Sequence, residues 1–415
     1  MLERSMERGA DVISWPPEGV TRVPYAVFSD PALYRLEQER IFRGPTWHFL
    51  ALEVELPETG SFKTTRIGDN AVIVVRDETG AINAMVNRCA HKGAMLCFEP
   101  CGKREHFTCV YHSWTYDLQG GLKTVAFRRG INGRGGMPDD FDQADHGLER
   151  LRVERLHGLV FATFSPQAPP LAEYLGPEMV ANIERLFDRP IELLGYHHQP
   201  MGNNWKLYAE NVRDPYHATL LHTFFGTFRL NTLTMDGGIT IGRGGWHHIS
   251  YSKMATERQK GEYDGLRSVV QDFGLADPSL IASRPERNDG ITLAIQSIFP
   301  TCIVQQISNS LAVRWLVPLG PDRCELHWAL FGYRDDDPAM RAMRLKQANL
   351  IGPAGLVSME DGLVGELVMR GVAGDGSATS VIEMGGRDVA STENSRATET
   401  SVRGFWHGYR ALMDL

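Results

Sequence analysis

Hydrophobic residues follow two different periods in the first part of the chain. Residues 31–43 carry apolar side chains at roughly helical spacing and predict an amphipathic helix that packs on a later part of the chain. From 46 to about 165, short apolar or alternating runs such as A-V-I-V-V (71–75) are separated by turn-forming segments such as D-E-T-G and Q-G-G. This pattern is typical of a small antiparallel β domain with tight turns.

The remainder of the chain contains longer elements of both kinds. Strand-like and helical stretches occur in blocks, without βαβ alternation, which predicts an α+β domain built on an antiparallel sheet. The strand-like stretches are 191–199, 245–252, 290–298, 302–309, 311–318 and 323–332, and the helical ones lie around 205–225, 338–350, 355–371 and 402–413. We therefore expect an N-terminal helical segment (1–45) that packs on the larger domain, a small β domain (46–165) and a larger α+β domain (166–415).

Composition and charge limit the class of protein. The 415 residues are 42% hydrophobic and 23% charged, as in ordinary soluble globular proteins. A formal net charge of −8 argues against nucleic acid or an anionic membrane as the main partner. Residues 1–11 are charged where a signal peptide needs an apolar core, and no apolar run reaches membrane-spanning length. Because the six cysteines form no disulfide framework, the expected location is the cytoplasm.

Four potential metal ligands lie in two short motifs of the β domain. Cys89 and His91 form C-x-H, and Cys109 and His112 form C-x2-H. Two thiolates and two imidazoles suit either a tetrahedral zinc ion or a two-iron cluster with both cysteines on one iron and both histidines on the other. The spacing of the pairs does not decide between the two.

The residues around the motifs favour the cluster. A C-x-H pair is a poor start for a zinc finger, and the S-W after His112 is not typical of one. Cys97 and Cys101 fall outside the ligand register and are interpreted as loop or packing thiols. The two motifs resemble a Rieske [2Fe–2S] site. Respiratory Rieske proteins carry two further cysteines where this chain has Ala94 and Tyr111, so the resemblance is to the oxygenase and ferredoxin branch.

A second set of potential ligands follows about a hundred residues later. His217 and His222, five residues apart, can supply two ligands of a mononuclear iron site whose third protein ligand is a carboxylate. Five residues of an α-helix turn through about 500°, which is roughly 140° away from the same face, so we expect a bend or a helix end between them. An isolated pair of this kind is usually two unrelated helix histidines. Asp214, three residues before His217, argues for a site instead.

Together the two sets of ligands resemble the large (α) subunit of Rieske non-haem iron aromatic ring-hydroxylating oxygenases, over nearly the whole chain. The second motif reads E-N-x-x-D-x-x-H-x4-H over 210–222. The resemblance implies a catalytic domain of the START-like, helix-grip type, and it makes Asp361 in S-M-E-D the third iron ligand, with Glu360 as the alternative. The cofactors it implies are a Rieske [2Fe–2S] cluster and a mononuclear Fe(II).

The same resemblance implies partners and a path for electrons. In the family, an aspartate at the place of Asp214 links an iron-ligand histidine, here His217, to a cluster-ligand histidine, here His112, of the neighbouring subunit in a trimer. We expect Asn211 and Asp214 to take part in catalysis. Further implied partners are O2, a separate flavin reductase that oxidises NADH, and a small β subunit. The assembly would be a homotrimer of α or an α3β3 complex.

Within the family, the chain most resembles the branch that acts on aromatic carboxylates, which includes salicylate hydroxylases, anthranilate dioxygenases and terephthalate dioxygenase. Arg314 lies in a strand that is apolar on both faces, so its charge must have a partner, either a substrate carboxylate or an internal acid. Arg396 in the C-terminal loop is a second candidate with the same two possible partners, and two arginines suit a dicarboxylate such as terephthalate. Further residues expected to line the substrate pocket are Phe224, His248 and Ser250.

Two alternatives follow from the same residues. Among enzymes, the substrate is salicylate, anthranilate or another substituted benzoate, with monohydroxylation or dihydroxylation of the ring. The alternative without turnover is a structural zinc module joined to a START-like binding domain. Zinc has no use for the second set of ligands, which favours the oxygenase.

Overall fold

The computed structural model describes residues 12–254, 256, 259, 269 and 273–415. It divides into two compact units, a smaller one spanning Phe42–Leu171 and a larger one made of the chain up to Ile41 together with Ala172–Leu415. The charged N-terminal stretch 1–11 lies outside the described residues. In the described part of the chain, no helix combines the length and the apolar character needed to cross a bilayer.

The smaller unit is built on a seven-stranded sheet in which every paired strand is antiparallel. In spatial order its strands are His48–Leu52, Leu159–Thr163, Arg150–Leu156, Ile82–Val86, Asn70–Arg76, Ser61–Ile67 and Cys101–Lys103. A three-stranded sheet follows the order Phe107–Thr108, Thr115–Tyr116 and Leu122–Thr124. Short 3₁₀ helices span Glu53–Glu55 and Gln143–His146. The run A-V-I-V-V supplies fully buried residues at 72–75, as the sequence pattern predicts.

The larger unit is built on a second seven-stranded antiparallel sheet. In spatial order its strands are Ile191–Met201, Cys324–Tyr333, Ser310–Pro318, Cys302–Ile307, Ile291–Ile298, His248–Lys253 and Gly237–Ile241. The last strand was not predicted from the sequence, because its two glycines hide the apolar pattern. Gly237 is needed there, since a Cβ atom would overlap the backbone of Tyr251 on the neighbouring strand. A two-stranded sheet pairs Arg22–Pro24 with Thr379–Val381.

Helices accompany this sheet. The α-helices of the described chain are Pro31–Glu37, Leu171–Leu175, Pro177–Leu186, Trp205–Asn211, Ala218–Leu221, Thr223–Thr227, Pro338–Ile351, Val357–Val372 and Thr400–Met413. A π turn follows at Gln38–Phe42, and 3₁₀ helices span Gly19–Thr21, Tyr25–Phe28 and Pro278–Leu280. The predicted α+β class with antiparallel sheets is confirmed. The predicted helical stretch around 205–225 is divided into three helices, and its breaks carry the site described below.

A buried carboxylate joins three of these helices. Glu37, at the end of the first helix, accepts hydrogen bonds from the Trp205 indole at 2.9 Å, the Lys206 ammonium at 2.5 Å and the Tyr409 hydroxyl at 2.6 Å. Burial lowers the pKa of Lys206, but the Glu37 carboxylate opposes this. Because a buried charge without its partner is costly, this cluster fixes the helix Trp205–Asn211, which leads directly into the second set of predicted ligands.

Candidate metal centres and substrate cavity

The first pair of predicted cluster ligands lies in a tight loop of the smaller unit. The Cys89 amide donates to the carbonyl of Ala94 at 2.8 Å, and the Gly93 amide donates to the carbonyl of Cys89 at 2.9 Å. Gly93 has a φ of +75°, a left-handed conformation that suits glycine. The loop closes around the Cys89 side chain, which is buried.

The second pair lies in a loop with the same backbone hydrogen bonds. The Cys109 amide donates to the carbonyl of Trp114 at 2.8 Å, and the Ser113 amide donates to the carbonyl of Cys109 at 2.9 Å. Ser113 takes the left-handed position of the loop, with a φ of +54°. The two loops therefore present a cysteine and a histidine in matching ways.

The two histidine rings lie together, and the two cysteines belong to one buried core cluster. The rings of His91 and His112 are 4.6 Å apart, and the His91 ring stacks on Trp114 at 4.8 Å. The Nδ1 atoms of both histidines are buried and have no hydrogen-bond partner among the described residues. Burial lowers the pKa of His91, which keeps the ring in the neutral form that binds metals.

Polar contacts around the thiols complete this centre. The Tyr116 hydroxyl lies 3.3 Å from the Cys89 sulfur and accepts a hydrogen bond from the Ala90 amide at 3.0 Å. Burial raises the pKa of Tyr116, so its proton is retained and can point at the sulfur. Two buried thiols, together with two buried imidazole nitrogens that have no partner among the described residues, fit a [2Fe–2S] cluster. The other nearby thiol, Cys97, packs in the core 3.4 Å from the carboxylate of Glu99, as expected of a packing residue.

The second set of predicted ligands lies where the helical stretch of the larger unit is broken. His217 precedes the short helix Ala218–Leu221, and His222 separates that helix from Thr223–Thr227. His222 has φ −84° and ψ +81°, outside the helical region. The helix end predicted between the two histidines is thus confirmed, and it allows both rings to face one point despite the five-residue spacing.

The third carboxylate comes from the helix Val357–Val372, which we call the ligand helix. Asp361 Oδ1 lies 3.5 Å from Nε2 of His217 and 3.3 Å from Nε2 of His222. One ligand atom from each of these three residues falls within 4.8 Å of the others. The side-chain amide of Asn211 donates to Asp361 Oδ1 at 3.1 Å. Two imidazoles and a carboxylate on one face are the donors of a mononuclear non-haem iron site, and these residues fit it.

The electrostatics of this group are those of a cation site. Burial lowers the pKa of His217, but the carboxylates of Asp214 and Asp361 outweigh it and raise the pKa to about 10. Burial opposes ionisation of Asp361, yet His222 and His217 hold its pKa far below the usual range. Glu360, the alternative ligand, lies on the opposite side of the His222 ring, 2.7 Å from Nδ1.

A cavity opens beside the iron ligands and contains about 610 Å³ of space free of protein atoms. Its lining includes the predicted residues Asn211, Asp214, His217, His222, Ser250, Arg314, Asp361 and Arg396. Two predicted pocket residues, Phe224 and His248, are not among the described residues that line it. The neighbouring Phe225 lines the cavity in place of Phe224. His248 lies on the same sheet face as Ser250, two residues away along the strand, and is buried.

The cavity also contains a polar residue that the sequence pattern did not reveal. Gln305 lines it, is fully buried, and has no hydrogen-bond partner for either amide atom among the described residues. It pairs with Ala312 in the sheet, so it lies diagonally next to Arg314 on the same face. Every residue of the strand Cys302–Ile307 is buried, so the sequence carries no alternation that would show which face reaches the cavity.

Comparison with known proteins agrees with both centres. The model of the Rieske [2Fe–2S] domain matches residues 46–132, and the model of the ring hydroxylating alpha subunit (catalytic domain) matches residues 191–415. The chain therefore belongs to the alpha subunits of Rieske non-haem iron ring-hydroxylating oxygenases, with a [2Fe–2S] cluster in the smaller unit and a mononuclear iron site formed by the group His217, His222 and Asp361.

Individual relatives match over nearly their full length. The terminal oxygenase subunit alpha 2 of terephthalate 1,2-dioxygenase from Comamonas sp. is 48% identical over 404 residues, 97% of this chain and 98% of that protein. The large subunit of anthranilate 1,2-dioxygenase from Burkholderia cepacia is also 48% identical, over 97% of this chain and 96% of that protein. The large oxygenase component of salicylate 5-hydroxylase from Ralstonia sp. is 40% identical over 96% of both chains.

The fold matches solved structures. Naphthalene 1,2-dioxygenase from Rhodococcus sp., in its complex with indole, superimposes with a TM-score of 0.78 at 24% identity, covering 94% of both chains. At this identity the likeness supports the fold alone, which combines an antiparallel Rieske domain and an α+β catalytic domain.

The cluster ligands can be tested against a matched buried thiol. We expect Cys89→Ser to abolish the visible absorption of the [2Fe–2S] cluster, because a hydroxyl is a poor iron ligand in place of a thiolate. Cys97→Ser, also buried, is expected to retain the wild-type spectrum, since its sulfur faces Glu99. Visible spectra and sulfide content measure the outcome. An intact cluster in the Cys89 variant would contradict the ligand assignment.

Proposed function

We propose that this chain is the α subunit of a terminal oxygenase that hydroxylates an aromatic carboxylate with O2, and that its particular reaction is the cis-dihydroxylation of terephthalate. In that reaction both atoms of O2 bond to adjacent ring carbons, while a separate flavin reductase oxidises NADH to NAD⁺ and one proton is taken up. Relatives that share 48% identity with the chain include dioxygenases of terephthalate and of anthranilate, both aromatic carboxylates.

The observation that carries this proposal is the burial of Arg314 together with its few polar contacts. Its side chain is buried in the cavity wall, 4.7 Å above the Trp328 ring, and one of its NH2 groups donates to the Tyr208 hydroxyl at 2.9 Å. Its Nε has no hydrogen-bond partner, and it forms no ion pair with a carboxylate among the described residues. Burial raises the pKa of Tyr208 to about 12, so that phenol stays neutral and does not compensate the charge of Arg314.

A substrate carboxylate supplies the missing partner. A buried, unpaired guanidinium is costly, whereas a planar carboxylate can satisfy it through two parallel hydrogen bonds. The internal ion pair that the sequence left open for Arg314 does not occur among the described residues. We infer that the cavity binds its aromatic acid with the carboxylate on Arg314 and the ring beside the iron ligands.

The preference for a dicarboxylate rests on the second cation in the cavity. Arg396 is buried, donates to the side chain of Asn231 at 2.6 Å and also donates to the backbone carbonyl of Thr232. Both of these acceptors are neutral, and they hold the guanidinium in place at the cavity wall. Two cations in one cavity suit the two carboxylates of terephthalate.

The iron site supplies the activation of O2 when it is loaded and reduced, and the surrounding residues orient the groups around it. Asn211 holds Asp361 by its side-chain amide. Apolar residues of the sheet, Leu293, Ile295 and Ile307, line the wall where the ring would lie and limit access of water. This combination of an apolar wall and few fixed polar groups is usual for sites that bind small aromatic molecules.

We further propose that Asp214 connects the two centres across a subunit contact in a trimer of α subunits, with or without a small β subunit. Its Oδ2 faces Nδ1 of His217 at 3.5 Å, and its Oδ1 accepts a hydrogen bond from the Tyr216 amide at 2.8 Å. The Asp214 side chain keeps 22% exposure, so a second imidazole can reach it. We propose His112 of a second copy of the chain as that imidazole.

A cytoplasmic location is part of the proposal. All six cysteines are free thiols, which suits a reducing compartment. The reductase partner also draws on NADH, and the formal net charge of −8 argues against nucleic acid as a partner.

A second candidate function is the oxidation of anthranilate or salicylate. It is favoured by Gln305, whose carboxamide offers both a donor and an acceptor next to Arg314. An amino or hydroxyl group ortho to a carboxylate bound on Arg314 lies within reach of such a neighbour, and either group can be hydrogen-bonded by a carboxamide.

A substrate panel separates the candidates. With a compatible reductase, we expect terephthalate to give oxygen uptake matched one to one by a cis-dihydrodiol, because each of its carboxylates can then face one of the two cavity arginines. Anthranilate and salicylate should give slower turnover or uptake with hydrogen peroxide release. Oxygen electrode traces and product identification measure this. Tight coupling on anthranilate or salicylate, with none on terephthalate, would replace the first candidate by the second.

Arg314→Gln is expected to raise the KM for the aromatic acid at least about 30-fold, because losing one partner of a buried charge pair costs roughly 2–5 kcal/mol. The cluster spectrum and iron content should remain unchanged. Arg189→Gln is a matched control, since Arg189 also stacks on an aromatic ring, that of Tyr333, but does not line the cavity. Equal kinetic constants in the Arg314 variant and the wild type would remove Arg314 from the substrate site.

Asp214→Asn is expected to retain cluster and mononuclear iron but to lose most of the steady-state oxygen uptake, because an amide cannot accept hydrogen bonds from two imidazoles as a carboxylate can. Asp335→Asn, which changes an exposed acid of the same unit, should behave as the wild type. Iron analysis, the visible spectrum and the sedimentation coefficient establish that the variant is loaded and assembled. Wild-type turnover in a loaded Asp214 variant would refute the link.

A further inference from the structure

The ligand helix reaches His222 with two consecutive side chains. Asp361 Oδ1 lies 3.3 Å from Nε2 of His222, and Glu360 Oε2 lies 2.7 Å from Nδ1. Consecutive residues of a helix point about 100° apart, so the side chains of Glu360 and Asp361 reach the imidazole from two directions. The ring is therefore held between two carboxylates that belong to one rigid element.

The Glu360 contact fixes which nitrogen carries the proton. At 2.7 Å it has the length of a charge-assisted hydrogen bond, and a carboxylate can only accept, so Nδ1 is the protonated nitrogen. Nε2, on the other side of the ring, faces Asp361 and His217, where the iron ligands converge, and is the nitrogen that would bind the metal. For the same reason Glu360 cannot itself bind iron held by Nε2, because the His222 ring lies between them.

His217 is held differently. Its Nδ1 lies 3.5 Å from Asp214, longer than an ordinary hydrogen bond, and both side chains keep 22% exposure. His222, in contrast, is only 4% exposed. Of the two histidines, the one with the short carboxylate contact is therefore also the one shielded from water.

We propose that Glu360 is the positioning residue of the iron site: it fixes the tautomer and orientation of His222 and so sets the affinity of the chain for ferrous iron, while Asp214 adds little to that affinity. A carboxylate on the outer nitrogen also increases the electron density that the ring gives to a metal. Asp214 is thereby left available for a contact outside the site. This inference concerns the iron ligands and does not depend on which aromatic acid the cavity binds.

The test is the affinity for Fe(II), measured anaerobically on the full-length chain by competition with a chromophoric ferrous chelator. We expect Glu360→Gln to weaken binding about 10-fold, since the amide oxygen still accepts from Nδ1–H but lacks the charge. Glu360→Ala should weaken it about 100-fold, the upper range for loss of such partners. The visible spectrum of the cluster, in the other unit, reports whether each variant is folded and loaded.

Two further variants complete the test. Glu366→Gln changes a glutamate further along the same helix, whose side chain accepts from the Gly202 amide, and should bind iron as the wild type does. Asp214→Asn should stay within about threefold of wild-type affinity. The proposal is overturned if Glu360→Gln and Glu360→Ala bind iron as tightly as the wild type, or if Asp214→Asn weakens binding as much as Glu360→Ala. None of these outcomes bears on the substrate panel, so the two proposals fail independently.

Discussion

The larger unit depends on one convergence: His217, His222 and Asp361 bring their ligand atoms to within 4.8 Å of one another although the histidines and the aspartate lie on separate elements. An uninterrupted helix would turn the two imidazoles away from each other. The break at His222 removes that conflict, and the ligand helix then delivers Asp361 to the point where the rings meet. Around this point, the charges of the carboxylates and the imidazoles compensate one another. Because the group is buried, an unmatched charge there would be costly.

Much of this arrangement was accessible from the sequence, because metal ligands must obey spacing rules. The two cysteine and histidine pairs predicted a metal site, and the residues around them favoured a cluster over zinc. The five-residue interval between His217 and His222 predicted a helix end, which is confirmed. The third ligand was assigned by resemblance, and the structure brings Asp361 to the two histidines. The roles of neighbouring residues were harder to see. Glu360 and Asp361 are adjacent acids in the sequence. Only the position of the His222 ring distinguishes Asp361, on the side of the iron ligands, from Glu360, which contacts the outer nitrogen of the ring.

The substrate cavity was less predictable for a physical reason. Its wall is formed by strands that are buried on both faces, so the alternation that normally shows which side chains point inward is absent. Gln305 was missed for that reason. In the pair Phe224 and Phe225, the choice between neighbours depends on the orientation of a five-residue helix, Thr223–Thr227, whose start is set by the break at His222. Arg314 could be recognised because a charge in an apolar strand stands out in any register.

The two ligand-bearing loops of the smaller unit have the same backbone hydrogen bonds, but their sequences differ in how readily they adopt the left-handed conformation that both loops require. Glycine occupies the left-handed position of the first loop at no steric cost, whereas Ser113 occupies it in the second at a cost of about 1 kcal/mol. The first loop, which carries Cys89 and His91, can thus adopt its shape unaided. The second loop, which carries Cys109 and His112, is held in its shape by its surroundings. It is therefore the loop that would relax first once the iron and sulfide are removed.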